Sequence, residues 1–297
     1  MIIVRLFGGL GNQMFQYAAA RRLAHHHNAL LKLDVSDLSK WQNWNTPREY
    51  TLFHFNIEAE IASTSEVVDL RGESKSNIKK GLDRFFQLLG MPARNTRVIR
   101  EKHFHFDQTI LEAPDNVNLD GYWQSEKYFE DIKNVLQKEF TLKNPLEGKN
   151  LDVAEEIRRA NSVSLHVRRA DYVTDQRTTE FHGFCGLDYY NACVDVVGRS
   201  VSDPHFFVFS DDPDWVRGNI KLRFPTTFVV HNEPQKGHED LRLMSMCQHH
   251  IIANSSFSWW GSWLSPRPEK IVIAPRKWFN DKTINTDDLI PDQWIRM

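Results

Sequence analysis

Ser162-Val163-Ser164-Leu165-His166-Val167-Arg168-Arg169-Ala170-Asp171 is the stretch from which the rest of the chain is read. Val163, Leu165 and Val167 alternate with Ser164, His166 and Arg168, the period of a half-buried strand. The strand runs out into two adjacent arginines. Guanidiniums side by side repel one another unless an anion lies between them, and their planar forks of donors match a phosphate. An interior ion pair of Arg168 or Arg169 with Asp171 is the structural alternative.

Outward from this strand the second half of the chain has a regular rhythm. Strand patterns occupy 163–167, 205–209, 227–230, 250–253 and 270–274, with helical patterns at 188–198, 213–219, 239–248 and 257–264. Such alternation predicts a parallel sheet with helices on both faces. Ligands of open α/β sheets bind beyond the carboxyl ends of the strands. Here those ends read Arg168-Arg169-Ala170-Asp171, Ser210-Asp211-Asp212-Pro213 and Asn254-Ser255-Ser256-Phe257-Ser258. Ser255 and Ser256 stand at the start of a helix, where free amides and small hydroxyls receive a phosphate. Trp259, Trp260 and Trp263 read as core filling. Asp212-Pro213-Asp214 has the spacing of a DxD metal site, but an aspartate cap followed by proline is also an ordinary helix start. The capping reading is preferred, because Arg168, Arg169 and the helix start already supply positive charge to a diphosphate.

The first half begins with a strand at 2–7, a turn Gly8-Gly9-Leu10-Gly11-Asn12, a helix at 13–27 and a strand at 30–33. The glycines lack GxGxxG spacing, so they are read as admitting close backbone approach to a ligand rather than as a dinucleotide site. Residues 40–100 are irregular and aromatic. A short strand closes within 118–124, a helix is predicted over 126–140, and the polar run 143–150 is the best linker. The domains are therefore placed at 1–145 and 146–297.

With Lys plus Arg at 37 and Asp plus Glu at 39, the formal net charge is −2. No global field draws this chain to nucleic acid or anionic lipid, so any bound anion is held locally. Cys185, Cys193 and Cys247 form neither a disulfide framework nor a CxxC pair, which suits a reducing compartment. The opening Met1-Ile2-Ile3-Val4-Arg5-Leu6-Phe7 is too short for a signal peptide, and no window has the apolar length of a membrane helix. The expectation is a cytoplasmic protein, or one that meets its substrate at the inner membrane face, with no nucleic-acid partner. Oligomeric state is not legible.

Gly8-Gly9-Leu10-Gly11-Asn12-Gln13-Met14-Phe15-Gln16-Tyr17-Ala18, the His166 to Val173 run, His182-Gly183 followed by Leu187-Asp188-Tyr189-Tyr190, and Ser255-Ser256-Phe257-Ser258-Trp259-Trp260-Gly261 occur in that order. The ordered set resembles the α-1,2-fucosyltransferases of glycosyltransferase family 11, from Met1 to about Phe279. The resemblance implies a GT-B architecture, with two facing Rossmann-like domains and the donor site in the cleft. The first domain takes the acceptor side and the second holds GDP-fucose, with a tail that returns to the first as one option. It implies inverting transfer of L-fucose from GDP-β-L-fucose to the 2-hydroxyl of a terminal galactose, with no essential metal and no cofactor.

By the same resemblance, Arg168 matches the arginine that contacts the diphosphate in an HxRR element beginning at His166, and Asp171 closes that motif. Asp211 falls in a second motif. Asp240 falls on the carboxylate that recognises guanine, whose N1–H and N2–H donors a carboxylate accepts as a pair. The donor-binding candidates are Gly9, Gly11, Asn12, His166, Arg168, Arg169, Asp211, Asp240, Ser255, Ser256 and Phe257. Positive charge on the β-phosphate is what departure of GDP needs most, and Arg168 is assigned that role. Asp171, Glu180 and His182 are the candidates for the base that deprotonates the acceptor. An ion-pair route without a dedicated base stays open. The alternatives are a fucosyltransferase of another linkage and a non-catalytic glycan-binding protein whose tryptophans and tyrosines stack on pyranose faces.

Overall fold

Ile2, Ile3 and Val4 have no solvent exposure, which is what a central strand of a parallel sheet requires. They form β1 (Ile2–Arg5). The chain turns at Gly8, whose φ of +76° lies in the left-handed region that favours glycine. Helix α1 (Leu10–His27) follows, then β2 (Leu31–Asp34), β3 (Glu60–Ile61), α2 (Thr64–Arg71), β4 (Val98–Arg100), β5 (Val117–Asp120) and α3 (Lys133–Glu139). Strands β1 to β5 make one parallel sheet in the order β3-β2-β1-β5-β4. The computed structural model describes residues 1–38, 49–72, 97–169 and 176–297, with only the backbone of 176–178.

The continuous helix expected over 126–140 is instead two 3₁₀ turns, Glu126–Tyr128 and Glu130–Ile132, followed by α3. Phe129 breaks it, with φ −151° and ψ 10°, and both Tyr128 and Phe129 are buried. The Phe129 ring packs near Phe15, while Tyr128 packs against Phe106 and Trp123, so tertiary contacts on different partners accompany the break.

Two units emerge. The first holds Met1–Gly8, Asn12–Tyr50 and Ile57–Glu139, and the second holds Gly9–Gly11, Thr51–Asn56 and Phe140–Met297. The second carries α4 (Gly148–Arg159), β6 (Asn161–Val167), α5 (Gln176–His182), α6 (Leu187–Ser200), β7 (Pro204–Ser210), α7 (Pro213–Asn219), β8 (Thr226–Val229), α8 (Gly237–Met246), β9 (His249–Ile251), α9 (Ser256–Leu264), β10 (Val272–Ala274) and β11 (Ile295–Arg296). Its strands form a parallel sheet in the order β11-β10-β9-β6-β7-β8.

Strand β7 shows how this sheet is covered. Phe206 and Val208 pack with Tyr190, Cys193 and Val197 of α6 and Val216 of α7. Phe207 and Phe209 point the other way, to Ala154 and Ile157 of α4 and to Leu243 and Met244 of α8. Alternate residues of one strand thus serve two helical layers. Both units are Rossmann-like α/β sheets, the class that a GT-B architecture calls for. Among the described residues no helix is long and apolar enough to cross a membrane.

One expectation changes here. Strand β6 is buried along both faces rather than half-buried, because it is central in a sheet with helical layers on both sides. Its polar side chains therefore need internal partners. Ser164 Oγ lies 2.8 Å from His250 Nδ1, and Ser162 Oγ accepts from the Gln248 amide at 3.2 Å.

Candidate active site

Strand order in the second sheet reverses at β6. The chain runs outward through β7 and β8 and then returns to place β9 on the other side of β6. A crevice beyond the carboxyl ends of β6 and β9 is the usual ligand position for this topology. Arg168 and Arg169 stand at the first of these ends.

The two arginines are held by the neighbouring strand end. Val167 is paired in register with Ser210, which sets Asp211 and Asp212 alongside them. Arg168 Nη1 lies 2.7 Å from Asp211 Oδ2, and the Arg169 amide donates to Asp211 Oδ1 at 2.8 Å. The Arg169 guanidinium lies 3.4 Å from Asp212 Oδ2 and 3.9 Å above the Trp215 ring. Asp212 also accepts from the Trp215 amide as the cap of α7, with Pro213 in the first turn. Capping is thus what Asp212 does, while Asp214 projects fully into solvent. Sequence pattern alone does not single out the cation–π partner Trp215, although a helix starting at Pro213 places it in the first turn.

His166 is almost wholly buried, and burial, reinforced by the Arg168 charge, pushes its imidazole down to about 3. It is neutral at physiological pH. Its ring lies 5.6 Å from that of Phe257, in the first turn of α9, and its Nδ1 has no partner among the described residues.

Ser255 occupies the N-cap of α9 without a side-chain cap hydrogen bond. Gly11 lies against this helix start. A β-carbon on Gly11 would come within 2.5 Å of the Ser256 carbonyl carbon and 2.6 Å of the Phe257 nitrogen. Trp260 Nε1 donates to the Gly11 carbonyl at 3.0 Å, and Trp259, Trp260 and Trp263 are buried as expected. The close approach at Gly11 is to protein backbone, which gives this glycine a packing reason of its own. Asn12 accepts from Gln124 Nε2 at 2.8 Å within the first unit, and Gly9 is half-buried.

Asp240 lies in the first turn of α8. Its Oδ1 accepts from Asn232 Nδ2 at 2.7 Å, and Asn232 bonds in turn to Asn150, which is 2.8 Å from His231 Nε2. Burial pushes the Asp240 carboxyl up to about 7 against the opposing Asn232 donor, with the Glu239 charge adding to the rise. A carboxyl so placed gains from a ligand that brings two N–H donors.

Glu180 is exposed on α5, and His182 is half-buried at its end. Asp171 lies outside the described residues. The residue that ties this region to the sheet is Asn254, at the carboxyl end of β9. Its Nδ2 donates to the carbonyls of His182 at 3.0 Å, Trp278 at 3.2 Å and Gly183 at 3.4 Å. Asn280 adds a bond from its amide to Phe181 O at 2.8 Å. Phe184, just beyond, has its ring 6.0 Å from the Arg169 guanidinium.

The model of Glycosyl transferase family 11 matches residues 74–297. The alpha-1,2-colitosyltransferase of Escherichia coli is 33% identical over 305 residues, covering 100% of this chain and 99% of that one. The O-antigen biosynthesis glycosyltransferase WbnK of Escherichia coli is 32% identical over 303 residues, 98% of this chain and 99% of that one. Galactoside alpha-(1,2)-fucosyltransferase 1 of Aotus azarae is 28% identical over 160 residues, 50% of this chain and 43% of that protein. The crystal structure of the NodZ alpha-1,6-fucosyltransferase soaked with GDP-fucose aligns at a TM-score of 0.48 with 15% identity, over 92% of this chain and 94% of that one. This chain belongs to glycosyltransferase family 11.

Proposed function

We propose that the protein transfers L-fucose from GDP-β-L-fucose to the 2-hydroxyl of a terminal galactose, with inversion and without an essential metal. The observation that carries this reading is the paired Arg168 and Arg169 at the switch point of the second sheet, fixed by Asp211 and Asp212. Two relatives named for α-1,2 transfer, one of a fucosyl and one of a colitosyl group, support the linkage. In this reading 146–297 hold the donor and 1–145 the acceptor.

As the C1 bond stretches, the fucosyl ring becomes oxocarbenium-like and negative charge grows on the β-phosphate. Arg168 meets that charge, Arg169 binds beside it, and the start of α9 with Ser255 and Ser256 adds its amides. Asp240 accepts the guanine N–H pair. The proton of the acceptor hydroxyl passes to a base drawn from Asp171, Glu180 and His182. His166, neutral and buried, shapes the site against Phe257.

A second donor is favoured by the full-length likeness to a colitosyltransferase. Colitose lacks the 3-hydroxyl that fucose carries, so the two donors differ by one polar group. Side-by-side turnover of GDP-fucose and GDP-colitose on a panel of β-galactosides, with linkage analysis of the product, tests the reading. Preferred use of GDP-fucose and a 1,2 linkage are expected. Preference for GDP-colitose replaces the donor, and another linkage replaces the acceptor hydroxyl.

A further inference from the structure

The first sheet has a switch point of its own. Its order places β2 and β5 on opposite sides of β1, so the carboxyl ends of β1 and β5 are where a ligand of this unit belongs. Arg5 ends β1 and Asp120 ends β5. Arg5 Nη1 lies 2.7 Å from Asp120 Oδ1, and Arg5 Nε bonds to Asp37. Arg5 and Asp120 both keep some accessible side-chain surface, 30% and 18%. Arg100 Nε lies 3.5 Å from Asp120 Oδ2, so two guanidiniums meet two carboxylates and the cluster carries no excess positive charge, which disfavours a phosphate and suits a neutral polyol.

An aromatic ring stands beside this cluster on a turn that is held from several sides. Glu101 accepts from the amides of Tyr122 at 2.7 Å and Trp123 at 2.9 Å. Trp123 has φ +58° and is wholly buried, a left-handed conformation that is an outlier for so bulky a side chain. Gly121 has no room for a β-carbon, which would lie 2.4 Å from Glu101 Cβ. The turn leaves Tyr122 40% exposed, with its ring centroid 4.7 Å from that of Phe7 at 74°. Backbone strain that surroundings over-determine is a mark of a functional position.

We propose that Tyr122, with Asp120 and Arg5, forms a pyranose subsite for the acceptor glycan. The ring takes the C–H face of the sugar, and the carboxylate and guanidinium take its hydroxyls. This assignment rests on the reading of the protein as a galactoside-modifying transferase.

The test uses the full chain with Tyr122→Ala, Tyr122→Leu and Tyr122→Phe. Steady-state kinetics against a β-galactoside is joined to saturation-transfer NMR of methyl β-galactoside, with GDP affinity and melting temperature as controls. Tyr122→Ala and Tyr122→Leu are expected to raise acceptor KM by about tenfold, the size of one lost aromatic contact. Tyr122→Phe should stay close to wild type, and GDP affinity should not move. A merely structural role would not separate phenylalanine from leucine in this way. If no GDP-sugar is turned over but the NMR contact of wild type is lost in the alanine variant, the subsite stands and the transfer reading fails. Acceptor KM unchanged in an active Tyr122→Ala enzyme overturns the subsite, as does a wild-type chain that neither modifies nor contacts a galactoside.

Discussion

Arg168 and Asp211 meet across the carboxyl ends of adjacent strands, Nη1 to Oδ2 at 2.7 Å. The other oxygen of the same carboxylate accepts from the Arg169 amide. One aspartate thus aims a guanidinium and fixes the backbone that follows it. In the proposed function, charge preorganised in this way needs no reorganisation when the leaving group departs.

If Asp240 accepts the guanine N–H pair as proposed, GDP binding should depend on pH. Between its ordinary value near 4 and its folded value of about 7, the folded chain keeps a proton that the unfolded chain has released. The contribution of this group to stability therefore falls as pH rises through that window. Guanine N–H donors favour the ionised carboxylate, so GDP affinity should rise from about pH 6 to about pH 8 more steeply in wild type than in Asp240→Asn. Calorimetry should also show that the substitution weakens GDP by about 1.5–3 kcal/mol. Parallel pH profiles would place guanine elsewhere.

Gly11→Ala drives a β-carbon to 2.5 Å from the backbone of α9. The cost expected is on the order of 1–3 kcal/mol of stability, together with weaker donor binding because the helix start must move. Thermal denaturation and GDP titration check both, and an unchanged melting temperature would contradict the packing described.

The arginine pair, the serines that open α9 and the capping by Asp212 were legible because each depends on neighbours in sequence. The sheet of the second unit was legible for the same reason, since β7 alternates between two buried faces. Helix α4 is hard to see in the sequence, because the polar run 143–150 looks like a linker and the helix starts inside it at Gly148, at φ +53°. The apolar faces of Ala154 and Ile157 are its only strong signal. Asn254 was seen as a polar strand end, but its partners are carbonyls of His182, Gly183 and Trp278, which no local pattern links to it. The exposure of Tyr122 depends on Glu101, a contact equally remote in the chain.

Asn254→Ala removes the donor that serves these three carbonyls. Each buried group left unsatisfied costs about 1–3 kcal/mol, so a clear fall in melting temperature is expected. Proteolysis within 176–184 should quicken as α5 loses its tie to β9. A variant as stable and as resistant as wild type would remove Asn254 from this role.

Turnover is expected to survive excess EDTA. Asp212 is engaged by the Trp215 amide and by Arg169, and in the proposed function the arginines supply the charge that a cation would bring. Loss of most activity on chelation, restored by manganese or magnesium, would return Asp212 and Asp214 to a metal site.

In the proposed function Arg168 stabilises charge that appears only as the glycosidic bond breaks, and the decisive measurement is steady-state kinetics of Arg168→Lys. Lysine keeps the charge but not the fork that Asp211 orients. With the melting temperature held as a control, kcat should fall on the order of a hundredfold, while the KM for GDP-fucose changes much less. A folded Arg168→Lys enzyme with near-normal turnover would contradict the account.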